Sequence, residues 1–93
     1  MEEKKIRMIG IAKGIVQGVF CRAKMKEAAD AAGVLGYAEN LEDGTVEVVA
    51  EGTEEKIDEF IDKIRALDYP VEVREFETTY GKATGEFKSF SVK

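Results

Sequence analysis

Histidine is absent from this chain of 93 residues, and cysteine and proline occur once each. Without histidine, the chain cannot form a Ser-His-Asp triad, a Cys-His pair or an HExxH metal-binding helix. A zinc or iron site would need a ligand set made almost wholly of carboxylates, and no such pairing stands out on a helix. We therefore expect no metal. The groups that remain for chemistry favour the binding of an anion over the abstraction of a proton; they are Arg, Lys, Asn, Gln, Tyr, carboxylates and main-chain N–H groups.

Long apolar segments are missing as well. No apolar run approaches the ~18 residues of a membrane-spanning helix, and the charged residues 1–5 do not begin a secretory signal. The single cysteine cannot form an internal disulfide, which agrees with a reducing compartment. The sequence thus predicts a cytoplasmic protein without a membrane partner. At 93 residues we expect one domain over residues 1–93, and a monomer.

The formal net charge is −5, which argues against nucleic acid as a partner, because binding to its phosphates depends on Lys and Arg. The charge is unevenly distributed along the chain. Residues 1–26 hold seven basic and two acidic residues, a net of +5, so residues 27–93 carry −10. This asymmetry is explained either by scattered solvated side chains or by a local anion site on an acidic protein.

Hydrophobic periodicity predicts two helices and four or five strands. Residues 21–32 place apolar side chains at three- and four-residue steps before Gly33, as in an amphipathic helix. A second helix follows Thr53, a suitable N-cap, and ends before Pro70. The predicted strands cover residues 6–12, 34–40 and 45–51, a segment from Val71 whose alternation slips by Phe76 and suggests a bulge, and residues 90–92.

This order, β-α-β-β-α-β with a short further strand, is that of the ferredoxin-like α/β sandwich. In this α+β fold, two helices cover one face of an antiparallel sheet. The first two strands are parallel across the helical crossover, so their carboxyl ends lie at the same edge. With the third strand between them, these ends are roughly 10 Å apart. Residues that follow the first strand are therefore expected to face residues that end the second.

A glycine-containing loop follows the first strand. It reads Gly14-Ile15-Val16-Gln17-Gly18-Val19-Phe20-Cys21-Arg22 and leads into the first helix. The free N–H groups of a first helical turn and the guanidinium of Arg22 can bind a phosphate or a carboxylate. A glycine-rich turn from strand to helix is also common without any ligand, and the Walker nucleotide pattern is absent.

At the matching edge, the second strand ends in Gly36-Tyr37-Ala38-Glu39-Asn40-Leu41-Glu42-Asp43-Gly44. An Asn before a turn often caps its own backbone. Opposite Arg22, the Asn40 amide could instead hold a water with one group and contact a substrate with the other.

The two segments together resemble the acylphosphatase family. The resemblance covers most of the chain, from the Val-Gln-Gly-Val loop through the Asn-x-x-Asp-Gly turn and Glu51-Gly52 to the closing Phe90-Ser91-Val92. It implies a ferredoxin-like fold and the hydrolysis of small acyl phosphates to a carboxylate and inorganic phosphate, without a metal and without a cofactor. It also implies that Asn40 positions the attacking water, and that the phosphate is bound by Arg22 with the main chain of Gln17, Gly18, Val19, Phe20, Cys21 and Arg22.

The sequence departs from the family at Phe20-Cys21, where Gly-Phe or Phe-Phe is frequent, and at Tyr37, where Trp is frequent. Cys21 is not expected to be a nucleophile, because the helical pattern points it inward. Three other interpretations stay open. They are a non-catalytic phosphate-binding module, an RNA-binding domain, for which the strands lack stacking aromatics, and a domain of a larger maturation enzyme, although the chain ends where that domain does.

Overall fold

The computed structural model describes residues 4–93, so the first three residues of the predicted domain lie outside the described part. The elements in chain order are β1 Lys5–Ile15, α1 Cys21–Ala32, β2 Leu35–Asn40, β3 Val46–Thr53, α2 Glu54–Arg65, β4 Glu72–Lys82 and β5 Phe90–Val92. This order confirms the predicted arrangement with its short further strand. Neither helix is long and apolar enough to span a lipid bilayer within the described residues.

Each helix forms where apolar side chains recur on one face. The buried residues are Cys21, Met25, Ala28, Ala29 and Ala32 in α1, and Ile57, Phe60, Ile61 and Ile64 in α2. Gly33 ends α1 in the left-handed conformation, and its N–H donates to the main-chain oxygen of Ala29. Thr53 begins α2, and its Oγ1 accepts a hydrogen bond from the N–H of Lys56 at 3.3 Å. Both helix boundaries follow the sequence prediction.

The sheet has the strand order β4-β1-β3-β2-β5. Because β3 is antiparallel to both β1 and β2, the last two are parallel and their carboxyl ends lie at one edge, as predicted. β4 is antiparallel to β1. β5 is parallel to β2, so the sheet is mixed rather than antiparallel throughout. After β4, the chain crosses from one edge of the sheet to the other, where β5 lies beside β2 and parallel to it.

The edge strand β4 contains a bulge. Its pairing with β1 shifts between Lys13 and Gly14, which leaves Arg74 as the additional residue. The bulge that the sequence predicted near Phe76 therefore lies at Arg74. A Cβ on Gly14 would lie 2.2 Å from the main-chain oxygen of Glu72, so only glycine allows β4 to approach β1 here.

The core lies between the sheet and the two helices, and it also holds β5 in place. The rings of Phe60 in α2 and Phe90 in β5 pack edge to face with their centroids 5.6 Å apart. Lys26 of α1 donates to the main-chain oxygen of Phe90 at 3.0 Å. These contacts hold the start of β5 against both helices.

A buried carboxylate organises the other end of the sheet. Glu51 is 5% exposed and accepts hydrogen bonds from the N–H groups of Thr84 and Gly85, both at 2.9 Å, and from Arg7 Nε at 2.8 Å. Burial favours the protonated carboxyl group, but these donors outweigh it and lower the pKa of Glu51 to about 2. The segment between β4 and β5 is thereby attached to the sheet.

Candidate active site

A cavity of about 290 Å³ opens where the carboxyl ends of β1 and β2 meet the start of α1. Arg22 and Asn40, the two side chains selected from the sequence, both line it. The other lining residues are Val16, Gly18, Phe20, Cys21, Ala23 and Val92. A groove between the two helices is larger, about 390 Å³, but contains neither Arg22 nor Asn40. The sheet topology therefore brings the two sequence motifs to one cavity.

Residues 17–22, here called the anion loop, have unpaired main-chain N–H groups. Among the hydrogen bonds of residues 4–93, none is donated by a main-chain N–H of this loop. Gly18 and Phe20 have positive φ angles of 73° and 60°. Left-handed residues in such an alternation turn successive N–H groups toward one concave side. A Cβ on Gly18 would meet no atom within 4 Å, so the loop has both donors and open space for an anion.

Arg22 lies at the start of α1 and is partly buried. Its Nη1 donates a hydrogen bond to the main-chain oxygen of Lys93, which follows β5. This contact occupies one of the five guanidinium donors and orients the others. In the described part of the chain, no Asp or Glu side chain forms an ion pair with Arg22. Its guanidinium charge is therefore not neutralised by an acidic side chain.

Asn40 is the last residue of β2. Its side-chain Oδ1 is buried and has no hydrogen-bond partner within residues 4–93. Leaving a buried acceptor without a donor costs about 1–3 kcal/mol. Because Asn40 also lines the cavity, a water held there can donate a hydrogen bond to this oxygen and remove that cost.

Gln17 has a contact that sequence analysis did not assign, since only its main chain was expected to act. Its Nε2 donates to the main-chain oxygens of Leu41 and Thr45, both at 2.8 Å. Because Leu41 follows Asn40, this single amide joins the anion loop to the turn that positions Asn40. Asp43 stabilises the same turn by accepting hydrogen bonds from the N–H and Oγ1 of Thr45 at 3.0 and 2.6 Å. No spacing in either motif indicates the Gln17 contact, which depends on the folded sheet.

Cys21 does not present a reactive thiolate. Its side chain is 2% exposed, and burial raises the pKa of the thiol to about 11. The positive charges of Lys24 and Arg22 oppose this shift without reversing it. The prediction that Cys21 points inward is confirmed, and the thiol stays protonated at neutral pH.

The positive charge of residues 1–26 is largely balanced away from the cavity. Arg7, Lys13 and Lys26 each form an ion pair with an acidic side chain. Lys24 directs its Nζ toward the main-chain oxygen of Asp68, at 3.5 Å. Arg22 therefore provides most of the positive charge at the cavity. Most of the charge asymmetry of the sequence therefore comes from basic side chains that do not line the cavity, and they do not form an extended basic surface around it.

Comparison with known proteins agrees with this geometry. The family model for acylphosphatase matches residues 8–92. The chain belongs to the acylphosphatase family. An acylphosphatase of Dehalococcoides mccartyi strain CBDB1 is 42% identical over 84 residues, which are 89% of this chain and 92% of that relative. An acylphosphatase of Thermus thermophilus is 41% identical over 86 residues, 92% of this chain and 97% of the relative.

Acylphosphatases also share the tertiary structure. The crystal structure of acylphosphatase from Bacillus subtilis superposes with a TM-score of 0.90 at 27% identity, and the match covers 95% of this chain and 98% of that one. The fold is ferredoxin-like, as the sequence predicted. The protein is thus an enzyme of the acylphosphatase type, and a non-catalytic anion-binding module is not favoured. The anion loop and Asn40 both lie within the matched residues.

Proposed function

We propose that this acylphosphatase hydrolyses small acyl phosphates in the cavity at the start of α1, with Arg22 and Asn40 as catalytic residues. The observation that carries the proposal is the buried Oδ1 of Asn40, which has no hydrogen-bond partner within residues 4–93 and belongs to the same cavity as the anion loop, whose N–H groups are also unpaired there. The oxygen needs a donor, and the N–H groups need an acceptor. A phosphorylated substrate with its attacking water supplies both.

The anion loop and Arg22 bind the non-bridging oxygens of the phosphoryl group. The guanidinium has a planar pair of donors that matches two phosphate oxygens. Its hydrogen bond to Lys93 orients the group before the substrate arrives. Donors that are already oriented stabilise the charge of a phosphoryl-transfer transition state without the reorganisation that water requires.

Asn40 holds the attacking water through its Oδ1, and Gln17 keeps the Asn40 turn beside the anion loop. The water oxygen forms a bond to phosphorus while the bond between phosphorus and the acyl oxygen breaks. The acyl oxygen leaves as a carboxylate, whose conjugate acid has a pKa near ~4, so no general acid is needed at neutral pH. The water proton passes to a phosphoryl oxygen, since the part of the chain that the structure describes places no Asp or Glu in the cavity lining.

The proposal also covers metal and cofactor dependence, substrate size, oligomeric state and location in the cell. The reaction uses neither metal nor cofactor, because Arg22 and the anion loop provide the positive charge and donors at the phosphoryl group. The substrate is a small molecule, in keeping with a cavity of about 290 Å³. We propose a single-domain monomer in the cytoplasm, supported by the chain length of 93 residues and by one buried, unoxidised thiol.

Hydrolysis of benzoyl phosphate in the presence of EDTA tests these roles. We expect the wild type to turn over rapidly, and Arg22→Ala and Asn40→Ala to lower kcat/KM roughly 1,000-fold and roughly 100-fold. Arg74→Ala is the matched control, because Arg74 pairs with Glu72 on its own strand and does not line the cavity. This variant should keep kcat/KM within about twofold.

Two results would contradict the proposal. If the wild type shows no rate above background while inorganic phosphate still raises its Tm, the cavity binds an anion without catalysis. If EDTA removes the activity and a divalent cation restores it, the reaction depends on a metal. Circular dichroism of each variant separates a lost catalytic group from a lost fold.

A further inference from the structure

Asn40, which we propose to hold the attacking water, lies where β2 has support from one neighbouring strand only. β5 pairs with residues 36–38 of β2, so Asn40 extends beyond that neighbour. On the other side Asn40 is paired with Val46, the first residue of β3. Its Oδ1 has no hydrogen-bond partner within residues 4–93 that would fix the amide in place. The position of the amide therefore depends on how firmly the chain next to it is held.

The turn that follows Asn40 closes through its own hydrogen bonds. The N–H of Leu41 donates to the main-chain oxygen of Thr45 at 2.9 Å, and the N–H of Gly44 donates to that of Leu41 at 3.2 Å. Both oxygens thus have a donor within the turn before the side chain of Gln17 is considered. Gln17 is a second donor to each oxygen, so closure of the turn does not require it.

The Gln17 amide instead connects this turn to the anion loop. Its Nε2 is partly buried and reaches the oxygens of Leu41 and Thr45, both at 2.8 Å. Two N–H groups on one nitrogen contact both ends of the turn, which fixes its orientation as well as its distance. The main chain of Gln17 belongs to the anion loop. The loop that is proposed to bind the phosphoryl group and the turn that carries Asn40 are therefore held in one arrangement.

We infer that Gln17 is a positioning residue, whose side chain keeps Asn40 and its water in line with the phosphoryl group. The inference rests on the proposed function, which assigns the phosphoryl group to the anion loop and the water to Asn40. Among the described residues, Gln17 is not part of the cavity lining, so its amide acts through Asn40 and not on the substrate. In-line attack depends on the place of the water, and a misplacement of about 1 Å can lower a rate roughly 100-fold.

A double-mutant cycle with Asn40→Ala isolates this effect. Gln17→Met removes both hydrogen bonds and keeps a long, unbranched side chain, whereas Gln17→Ala also removes volume. Arg65→Met is the matched control, because Arg65 likewise donates from its side chain to a main-chain oxygen, that of Phe76 at 3.4 Å, and does not line the cavity. Each change is made in the wild type and in Asn40→Ala. The cycle separates an effect that passes through Asn40 from one that does not.

We expect Gln17→Met and Gln17→Ala to lower kcat for benzoyl phosphate about 20-fold in the wild type, and less than about twofold once residue 40 is alanine. Arg65→Met should change kcat less than about twofold in both backgrounds. A loss from Gln17→Met of equal size in both backgrounds would overturn the inference, because Gln17 would then act without Asn40. A loss confined to KM, or a wild-type kcat in Gln17→Met, would overturn it too.

Hydrogen exchange followed by NMR tests the same connection without turnover. The N–H groups of Leu41 and Gly44 should exchange about tenfold faster in Gln17→Met than in the wild type, because the turn loses its attachment to the anion loop. The N–H of Ile64, a fully buried residue of α2, should exchange at an unchanged rate if the fold is intact. If the wild type is inactive or Asn40→Ala retains its kcat, the proposed function fails, but the exchange still decides whether Gln17 holds the turn. Unchanged exchange at Leu41 and Gly44 would contradict the inference.

Discussion

The two ends of the sheet differ in whether their polar groups have hydrogen-bond partners within the protein. At one end, α2 begins with the Thr53 cap and has two acidic residues in its first turn, while the buried carboxylate of Glu51 accepts hydrogen bonds from several donors. At the other end, α1 begins at Phe20 without a side-chain cap and without an acidic residue in its first turn. There the N–H groups of the anion loop and Asn40 Oδ1 are unpaired within residues 4–93.

This contrast separates stability from function along one chain. The helices have equal lengths of 12 residues and contribute to the same core, so their packing does not explain the difference. A capped N-terminus with acidic residues satisfies its own N–H groups and dipole. An uncapped N-terminus with an arginine keeps those groups for an anion from solution. The end that lacks internal partners within residues 4–93 is thus the end where we propose that the substrate binds.

The largest effect should come from Arg22→Lys, which keeps the charge of the active-site end but removes the planar pair of donors. We expect kcat/KM for benzoyl phosphate to fall roughly 100-fold, because a single ammonium group cannot bind two phosphoryl oxygens in the same geometry. Steady-state kinetics measures this, with Arg74→Lys as the control. A lysine variant with wild-type activity would show that charge alone is sufficient.

The next effect concerns Glu51 at the other end and should appear in stability without a change in kcat/KM. The folded protein holds the pKa of Glu51 at about 2, below the ordinary value of 4.5. Its contribution is therefore complete above about pH 4.5 and is lost as the pH falls toward 2. Glu51→Gln should lower the free energy of unfolding at pH 7 by about 2 kcal/mol and should flatten its decline in acid.

Urea unfolding between pH 7 and pH 2 measures this difference. Glu77→Gln is the control, since Glu77 is exposed and forms its ion pair with Lys13 at the surface. If Glu51→Gln shows the same acid dependence as the wild type, the hydrogen bonds to the carboxylate do not stabilise the fold.

The third prediction concerns an acidic residue introduced into the first turn of α1, where α2 has two. Ala23 is exposed and lines the cavity, so Ala23→Glu brings a negative charge close to the phosphoryl group. We expect about a tenfold increase in KM and in the inhibition constant of phosphate, together with a gain of about 0.5 kcal/mol in stability from the helix dipole. Ala31→Glu, later in α1, should leave both constants unchanged. An Ala23→Glu variant that binds phosphate normally would separate the helix N-terminus from the anion site.

The smallest effect should follow removal of the cap of α2. Thr53→Ala should lower the free energy of unfolding by about 1 kcal/mol, because the N–H of Lys56 loses its acceptor. Thr53→Ser keeps the hydroxyl and should retain most of the stability. Neither change should alter kcat/KM, and a loss of activity in Thr53→Ala would mean that the two ends of the sheet are coupled.

Much of the fold was predictable because it depends on local patterns. The apolar spacing in residues 21–32 and the cap at Thr53 define the helices, and alternation along the chain defines the strands. The extension of β1 to Ile15 was not predictable, since it arises from pairing with β4 across the bulge at Arg74. The parallel pairing of β5 with β2 likewise depends on a crossing of the sheet that a strand of 3 residues does not reveal.

Part of the candidate site could likewise be predicted from the sequence, and part of it could not. Arg22 and Asn40 could be selected because they stand at fixed places in two sequence motifs, and the order of the elements predicts that these motifs meet. The contact from Gln17 to the Asn40 turn, and the one from Arg22 to Lys93, join residues far apart in sequence. The left-handed conformation of Phe20 is also a tertiary result, because a phenylalanine in isolation does not favour it.

By itself, the sequence determined the type of chemistry and the elements that support it. A chain without histidine, with a glycine loop leading to an arginine, can bind an anion but lacks the usual acid and base, and this follows from residue types alone. Only the tertiary structure decided which polar groups stay unpaired. Every loop N–H and every amide can find a partner in some conformation, and it is the packing of α1, β2 and β5 that leaves the anion-loop N–H groups and Asn40 Oδ1 unpaired within residues 4–93.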